Sequence, residues 1–502
     1  MRALEPLALA LLGALQTLAF VHTQAWGLPL LALALLVWRL DHAPSVRRAA
    51  WLGWCFGCAW LCAGTWWLFI SMYRYGHLPA PLAAAAVLAL AATLSLYLAA
   101  AAAVYRRGRR GDAWDALRFA ACWLLAELAR GVLFTGFPWV ASGYAQVDGP
   151  LAALAPWVGV YGIGAVLALV AALLARAAAP GLLRVGAPAL GAGLLGLAAL
   201  LGPGQHTRPG QTLSVQLLQP NVAQDEKFAA DRLPATLAWV GERLLASRAD
   251  LVVAPETAVP LLPTDLAALA PGYWQMLRER FASGPQAALI GVPLGDFAHG
   301  YTNSAAGLSQ APEYRYDKQH LVPFGEFIPA GFRWFTELMH IPLGDFTRGR
   351  PAAPSFVLQG GERAAPNICY EDLFGEELAR RFADPAVAPT LFVNLSNIGW
   401  FGHTIAIDQH LAISRLRALE FQLPVVRATN TGATAAIDHR GRVEARLRPF
   451  TAGVLEARVQ GRHGRTPYAR WAAAFGLWPL LGVGLLGLAA GTWRAQPHAR
   501  AP

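Results

Sequence analysis

Five cysteines occur in the 502 residues, and one of them, Cys369, stands where a thiol could act as a nucleophile. It lies in Asn367-Ile368-Cys369-Tyr370-Glu371-Asp372-Leu373-Phe374, where a strand pattern runs into a helix pattern. A side chain on such a tight turn is exposed, and the start of a helix favours the thiolate. Placement alone fits a buried structural thiol equally well. The other four, Cys55, Cys58, Cys62 and Cys122, fall in long apolar runs. Three of them could share one helix face, but no His or acidic residue accompanies them. Small residues easing helix packing explain them better than a metal site.

Two further segments supply what a nucleophilic thiol needs. Leu251-Val252-Val253-Ala254-Pro255-Glu256 puts a carboxyl group at the end of a buried strand. Tyr316-Asp317-Lys318-Gln319-His320 holds a lysine in an apolar and aromatic stretch. Of 41 basic residues only Lys227 and Lys318 are lysine. Lysine offers a compact ammonium whose pKa can move, so a lysine that survives among arginines is a candidate for a task arginine cannot do. Taken singly, Glu256 could cap a helix and Lys318 could pair with a surface acid. Taken with Cys369 they offer a base, an oxyanion partner and a nucleophile.

The elements that must position these groups follow from composition. The chain is 55% hydrophobic and 14% charged, against about 25% charged in soluble proteins. The deficit sits in 1–204 and in about 471–493, whereas 205–468 reads as an ordinary globular domain. Apolar runs near 6–21, 25–40, 51–72, 79–104, 115–134, 151–175, 185–202 and 471–493 predict eight membrane spans. The domain plan is therefore a seven-span region over 1–204, a folded domain over 205–468, and an eighth span with a tail over 469–502. Alternating spans put Arg39, Arg47, Arg48, Arg106, Arg107, Arg109, Arg110, Arg176, Arg184, Arg494 and Arg500 on one side. That basic side is cytoplasmic, so 205–468 and its lone cysteine face an oxidising compartment, with both termini in the cytoplasm. The net charge of +10 is thus a topology signal and not a nucleic-acid footprint.

Within 205–468, strand patterns at Leu213–Leu218, Leu251–Ala254, Ala287–Val292, Leu391–Asn394 and Pro424–Ala428 alternate with helix patterns. The helices are expected at Pro234–Ser247, Tyr273–Phe281, Leu373–Phe382 and Gln409–Phe421. Such alternation predicts a layered α/β domain.

The order Glu256, Lys318, Cys369 resembles the catalytic triad of the nitrilase (carbon–nitrogen hydrolase) superfamily. With eight spans around it, the chain resembles the apolipoprotein N-acyltransferases of bacterial inner membranes. Supporting segments are Thr135-Gly136-Phe137-Pro138-Trp139, Gln219-Pro220-Asn221, Asn394-Leu395-Ser396-Asn397, Gly399-Trp400-Phe401-Gly402, Gln409-His410 and Arg427-Ala428-Thr429-Asn430-Thr431-Gly432. The resemblance implies an α-β-β-α sandwich and transfer of an acyl chain from a phospholipid, through a thioester on Cys369, to a diacylglyceryl-modified apolipoprotein. It implies Glu326, Tyr370, Glu371, Asn397 and Trp400 as supporting residues around the site, and neither metal nor cofactor. Phe228 and Ile398 depart from the family pattern, which bears on loop geometry and lipid preference. A lid is expected in 325–350.

Two other readings compete. A membrane-tethered amidase would use the same three residues without needing eight spans. A transporter would carry intramembrane charges along a path. Glu127, the clearest such charge, has Arg130 one turn away and reads as a local pair.

Overall fold

Each apolar run is a helix or a broken helix in the computed structural model, which describes residues 4–112, 114–178, 181–329, 331 and 345–490. Thr23–Asp41, Ala80–Gly108, Pro150–Ala178 and Leu183–Leu201 are long and apolar enough to cross a bilayer. Two more candidates are bent, by 60° between Val46–Thr65 and Leu68–Tyr75 and by 91° between Pro467–Phe475 and Trp478–Ala490. Glu5–Phe20 is apolar but shorter, and Trp114–Val132 carries Asp115, Arg118, Glu127 and Arg130. By length and composition alone, four helices among the described residues qualify as spans, or up to six if each bent pair is one span. A hydropathy run does not reveal a break such as Gly476, which sits at φ +55° between the last two helices. Arg494 and Arg500 lie outside the described residues.

The chain divides into two units, Met1–Phe69 with Pro81–Gly204 and Phe475–Pro502, and Ile70–Ala80 with Gln205–Ala474. In the first unit, buried and half-buried charges tie helix ends together. Glu5 pairs with Arg39 and Arg48. Asp41 accepts from Arg109 at 2.6 Å and Tyr105 at 2.6 Å, and pairs with Arg176 at 2.5 Å. Asp115 pairs with Arg118 at 2.6 Å and accepts from the Gly111 N–H at 2.7 Å. Glu127 is more than half of a local pair. Its Oε1 accepts from Ser142 N and Oγ, each at 2.7 Å, while Arg130 lies 3.6 Å away and donates to the carbonyls of Phe137 and Trp139. The pair therefore pins the irregular segment 137–142.

Among the described residues the second unit holds twelve strands in two sheets. The first contains β1 (Thr207–Gln219), β2 (Leu251–Ala254), β3 (Ala287–Asp296), β4 (Gly300–Leu308) and β5 (Tyr314–Asp317). The second contains β6 (Phe356–Val357), β7 (Arg363–Ile368), β8 (Leu391–Ser396), β9 (Val425–Thr429), β10 (Ala435–Ile437) and β11 (Val443–Arg446). β12 (Gly453–Gly464) returns to the first sheet, giving the orders β12-β1-β2-β3-β4-β5 and β11-β10-β9-β8-β7-β6. β1-β2-β3 and β7-β8-β9 are parallel.

Period-two alternation assigns the faces. Leu213, Val215, Leu217, Val253 and Leu289 meet Ile368, Val393, Leu395 and Val426 in a core between the sheets. Their neighbours Leu218, Val252, Ala254, Ala288 and Ile290 face outward under Leu233–Ala246 and Tyr273–Ala282. On the far side Ala365, Phe392 and Val425 pack under Ala406–Phe421 and Pro467–Phe475. Both faces of each sheet are covered, which is why the strands read as unbroken apolar runs. The result is an α-β-β-α sandwich.

Asp41→Ala strands Arg109 and Arg176 without their shared carboxylate. The expected cost is at most about 3–5 kcal/mol, the range for breaking a buried pair, because Arg176 keeps Asp115 at 3.8 Å and Arg109 is partly exposed. Thermal unfolding of the detergent-solubilised variant, read against wild type, checks this.

Candidate active site

The carboxyl ends of the parallel strands form one edge of the sandwich, the place where open α/β sheets present loops to ligands. Glu256 lies two residues past β2, Cys369 directly after β7, Asn397 directly after β8 and Lys318 directly after β5. The two sheets are stitched together at this edge. Asn221 N donates to Asn430 O at 3.0 Å, and Asn430 N donates to Ser396 O at 3.0 Å.

Buried charges converge there. Lys318, 1% exposed, donates from Nζ to Glu256 Oε1 at 3.2 Å and to Glu326 Oε1 at 2.9 Å. Asn303 Nδ2 donates to the same two oxygens at 2.7 Å each. Glu256 Oε2 accepts from the Asn397 N–H at 2.8 Å, and Glu326 Oε2 from the Val322 N–H at 2.8 Å. Burial works against the Lys318 ammonium, but Glu256 and Glu326 outweigh it and hold its pKa above the ordinary lysine value. It stays charged throughout the physiological range. Close approach of backbone locks the carboxyl in place: a Cβ on Gly291 would stand 2.1 Å from Pro255 O and 2.8 Å from Glu256 Cα.

Cys369 adopts φ +53°, a left-handed conformation that costs a non-glycine residue of order 1–3 kcal/mol and persists only where its surroundings enforce it. Two brackets do so. His410 Nε2 lies 3.2 Å from the Cys369 carbonyl, and Arg427 Nη2 lies 3.1 Å from His410 Nδ1. Arginine can only donate, so Nδ1 is the acceptor and Nε2 carries the proton that reaches the carbonyl. Burial, and then the Arg427 charge, keep His410 neutral, its pKa well below the usual imidazole value. Glu371 forms the second bracket. It accepts from the N–H groups of Ile368 (2.7 Å), Gln319 (2.6 Å) and His320 (3.1 Å) and from Tyr316 Oη (2.7 Å). One carboxylate thereby joins the turn bearing Cys369 to the loop bearing Lys318.

The expectation that a helix start favours the thiolate does not hold. The helix expected over Leu373–Phe382 is present as Gly375–Ala379 running on into the 3₁₀ turn Arg380–Phe382, but Cys369 itself opens a separate 3₁₀ turn, Cys369–Leu373. Burial and then the Glu256 charge push the Cys369 thiol up to about 12, with Lys318, Ser396 and the Asn397 N–H pulling the other way. Burial thus favours the thiol over the thiolate at rest.

Of the remaining expected residues, Tyr370 is buried with its ring 5.3 Å from Phe374 and 5.6 Å from His320. Asn397 also donates to Gln224 Oε1 at 2.8 Å and accepts from Asn430 at 3.1 Å. Trp400 is 39% exposed, its ring edge-on to Tyr75 at 5.4 Å. Sequence reasoning missed Asn303, His410 as a carbonyl clamp, and Lys227, whose Nζ donates to Glu256 O at 3.0 Å. Lysine scarcity was a signal for Lys227; a neutral amide inside a strand, such as Asn303, gives none. Much of the lid expected in 325–350 lies outside the described residues.

Two family models match this chain: the apolipoprotein N-acyltransferase N-terminal domain over residues 12–173 and carbon-nitrogen hydrolase over residues 214–468. An apolipoprotein N-acyltransferase from Verminephrobacter eiseniae is 57% identical, covering 90% of this chain and 89% of that protein. One from Ralstonia nicotianae is 47% identical, covering 99% and 94%. Among solved structures, an amidase from Nesterenkonia sp. aligns at TM-score 0.38 and 16% identity, over 55% of this chain and 99% of that one.

Two outcomes follow from the geometry. Gly291→Ala displaces the turn that carries Glu256, so turnover is expected to fall by roughly 100-fold, as misplacements near 1 Å do, in a protein that still purifies as a monodisperse species. Alkylation of resting Cys369 by iodoacetamide is expected to keep rising above pH 9, because a raised thiol pKa leaves little thiolate at neutral pH. A plateau already reached at pH 7–8 would contradict it.

Proposed function

Because the chain belongs to the apolipoprotein N-acyltransferases, we propose that its acyltransferase chemistry runs through Cys369, Glu256 and Lys318, from a phospholipid to the N-terminal amine of a diacylglyceryl-cysteine lipoprotein. Glu256 takes the Cys369 proton as the sulfur attacks the ester carbonyl of the phospholipid. Lys318, which has a third N–H beyond its two carboxylate bonds, donates to the oxyanion. The tetrahedral intermediate collapses, the C–O bond breaks, and Glu256 returns the proton to the departing lysophospholipid. The lipoprotein amine then attacks the thioester, gives its proton to Glu256, and leaves as an amide while Cys369 regains its hydrogen.

The observation that carries this reading is the shared Lys318 and Asn303 contact between Glu256 and Glu326, beside a cysteine held at positive φ. Glu326 holds the ammonium and the base in register. Glu371 keeps the two arms of the site together, Asn397 aims Glu256 through its main chain, Tyr370 packs behind the turn, and Trp400 meets an acyl chain. No step calls for a metal or cofactor.

The substrates require a lipid-embedded site. We read the chain as eight spans in the inner membrane, 1–204, 205–468 and 469–502 being the seven-span region, the periplasmic domain, and the last span with its cytoplasmic tail. The ion pairs support alternation. They join the start of the first helix (Glu5) to the end of the second (Arg39) and the start of the third (Arg48). They also join the end of the second (Asp41) to the ends of the fourth (Arg109) and sixth (Arg176), with the start of the fifth (Asp115) beside Arg176. Those termini share one side, the arginine-rich one that the positive-inside bias makes cytoplasmic.

Incubation with phospholipid alone, followed by mass spectrometry, is expected to find the acyl group on Cys369. An adduct on any other residue overturns the mechanism, and ammonia release from simple amides without acyl transfer would indicate a hydrolase. Lys318→Arg is expected to lose at least about 100-fold in turnover, the scale of one lost oxyanion donor, because a guanidinium cannot replace a compact ammonium between two carboxylates.

A further inference from the structure

Both lysines of the chain converge on one residue. Lys318 reaches the Glu256 side chain, and Lys227, 4% exposed on the segment after β1, reaches its main-chain carbonyl. Of the three N–H groups on the Lys227 ammonium, this is the hydrogen bond the structure gives. Its charge is felt by Glu256 and by Cys369. Lys227 therefore sits in the site without a carboxylate of its own.

The buried charges around it show what it balances. Glu256 and Glu326 share Lys318, which leaves this trio one negative charge in excess. The other charges at the edge are accounted for separately. Asp372 lies 3.6 Å from Arg427, and Glu371 is held by three N–H groups and a tyrosine hydroxyl. His410 is neutral. An excess buried charge is costly and is relieved by proton uptake unless a counter-charge is near. Lys227 is the cation left to supply it among the described residues at this edge.

We propose that Lys227 is a positioning residue which, as the second positive charge of the site, offsets the negative charge that the Glu256–Lys318–Glu326 trio leaves in excess, so that Glu256 is open to the Cys369 proton. The inference rests on Cys369 and Glu256 acting as proposed above. With Lys227 in place, two carboxylates face two ammonium groups and a neutral thiol. Passing the proton from sulfur to Glu256 moves charge within the site without changing its total, so no net charge is created in the low-dielectric interior. Burial draws Lys227 down to about 8, against the pull of Glu256 and Cys369, so it still carries its proton at neutral pH and below, where the carboxylates need it.

Two neutral replacements separate charge from hydrogen bonding. Lys227→Gln keeps a donor for the Glu256 carbonyl, and Lys227→Met keeps only the bulk. The readout is the pH dependence of single-turnover thioester formation from phospholipid, using the full-length protein in detergent, with monodispersity as the folding control. Removing a positive charge makes the site take up a proton at higher pH, so the acid limb is expected to move upward by about one pH unit or more in both variants. The rate at high pH should stay within about tenfold of wild type. An acid limb that stays put in Lys227→Gln overturns the proposal, as does a rate lowered equally at every pH, which marks a purely structural clamp. If Lys227→Met does not fold, Lys227→Gln decides alone. Failure of wild type to form a thioester on Cys369 would instead remove the mechanism on which the inference rests.

Discussion

Two carboxylates, one ammonium and one amide meet in a largely buried space, and the rest of the catalytic unit is arranged to make that meeting tolerable. Glu256, Asn303 and the Lys318–Glu326 loop come from three separate stretches of chain. Each would be expensive to bury alone; together, each oxygen facing the centre has a donor. The parallel strands end at this edge, the two sheets are stitched there through Asn221, Asn430 and Ser396, and Gly291 lets β3 approach the turn that carries Glu256.

The sulfur is handled differently from the charges. It is held in an unfavourable backbone conformation by a histidine whose tautomer an arginine dictates, and by a glutamate that reaches across to the lysine loop. It is also kept protonated at rest. On the mechanism proposed above, such a thiol, hard to ionise alone, loses its proton to Glu256 as it attacks the ester. It is poorly suited to indiscriminate reaction with oxidants or soluble electrophiles, which need free thiolate.

Much of this was legible in the letters, and the limits are physical. The apolar runs declared themselves through composition, because a bilayer tolerates few charges. Their interruption did not, since Gly476 reads as one more small residue inside a hydrophobic stretch. Leu251–Ala254 was readable as a strand because both its faces are covered. The pairing of β1 with β12, some 240 residues apart, leaves no local signature. Glu256, Lys318 and Cys369 stood out by residue type and setting. Asn303 did not, because an amide alternating through a strand looks like any solvent-facing polar residue. The state of the sulfur is not legible in the letters, because a 3₁₀ turn stands where the pattern suggests a helix start, and because burial is a property of the fold and not of the cysteine's neighbours in sequence.

The near-absence of lysine gives the molecule a reporter of its own. Lys227 and Lys318 are buried beside Glu256, so a reagent specific for ε-amines finds no lysine target on the intact fold. Any ε-amine label that appears on the chain reports that this pocket has opened, and its rate of appearance times that opening without a spectroscopic probe or an engineered tag.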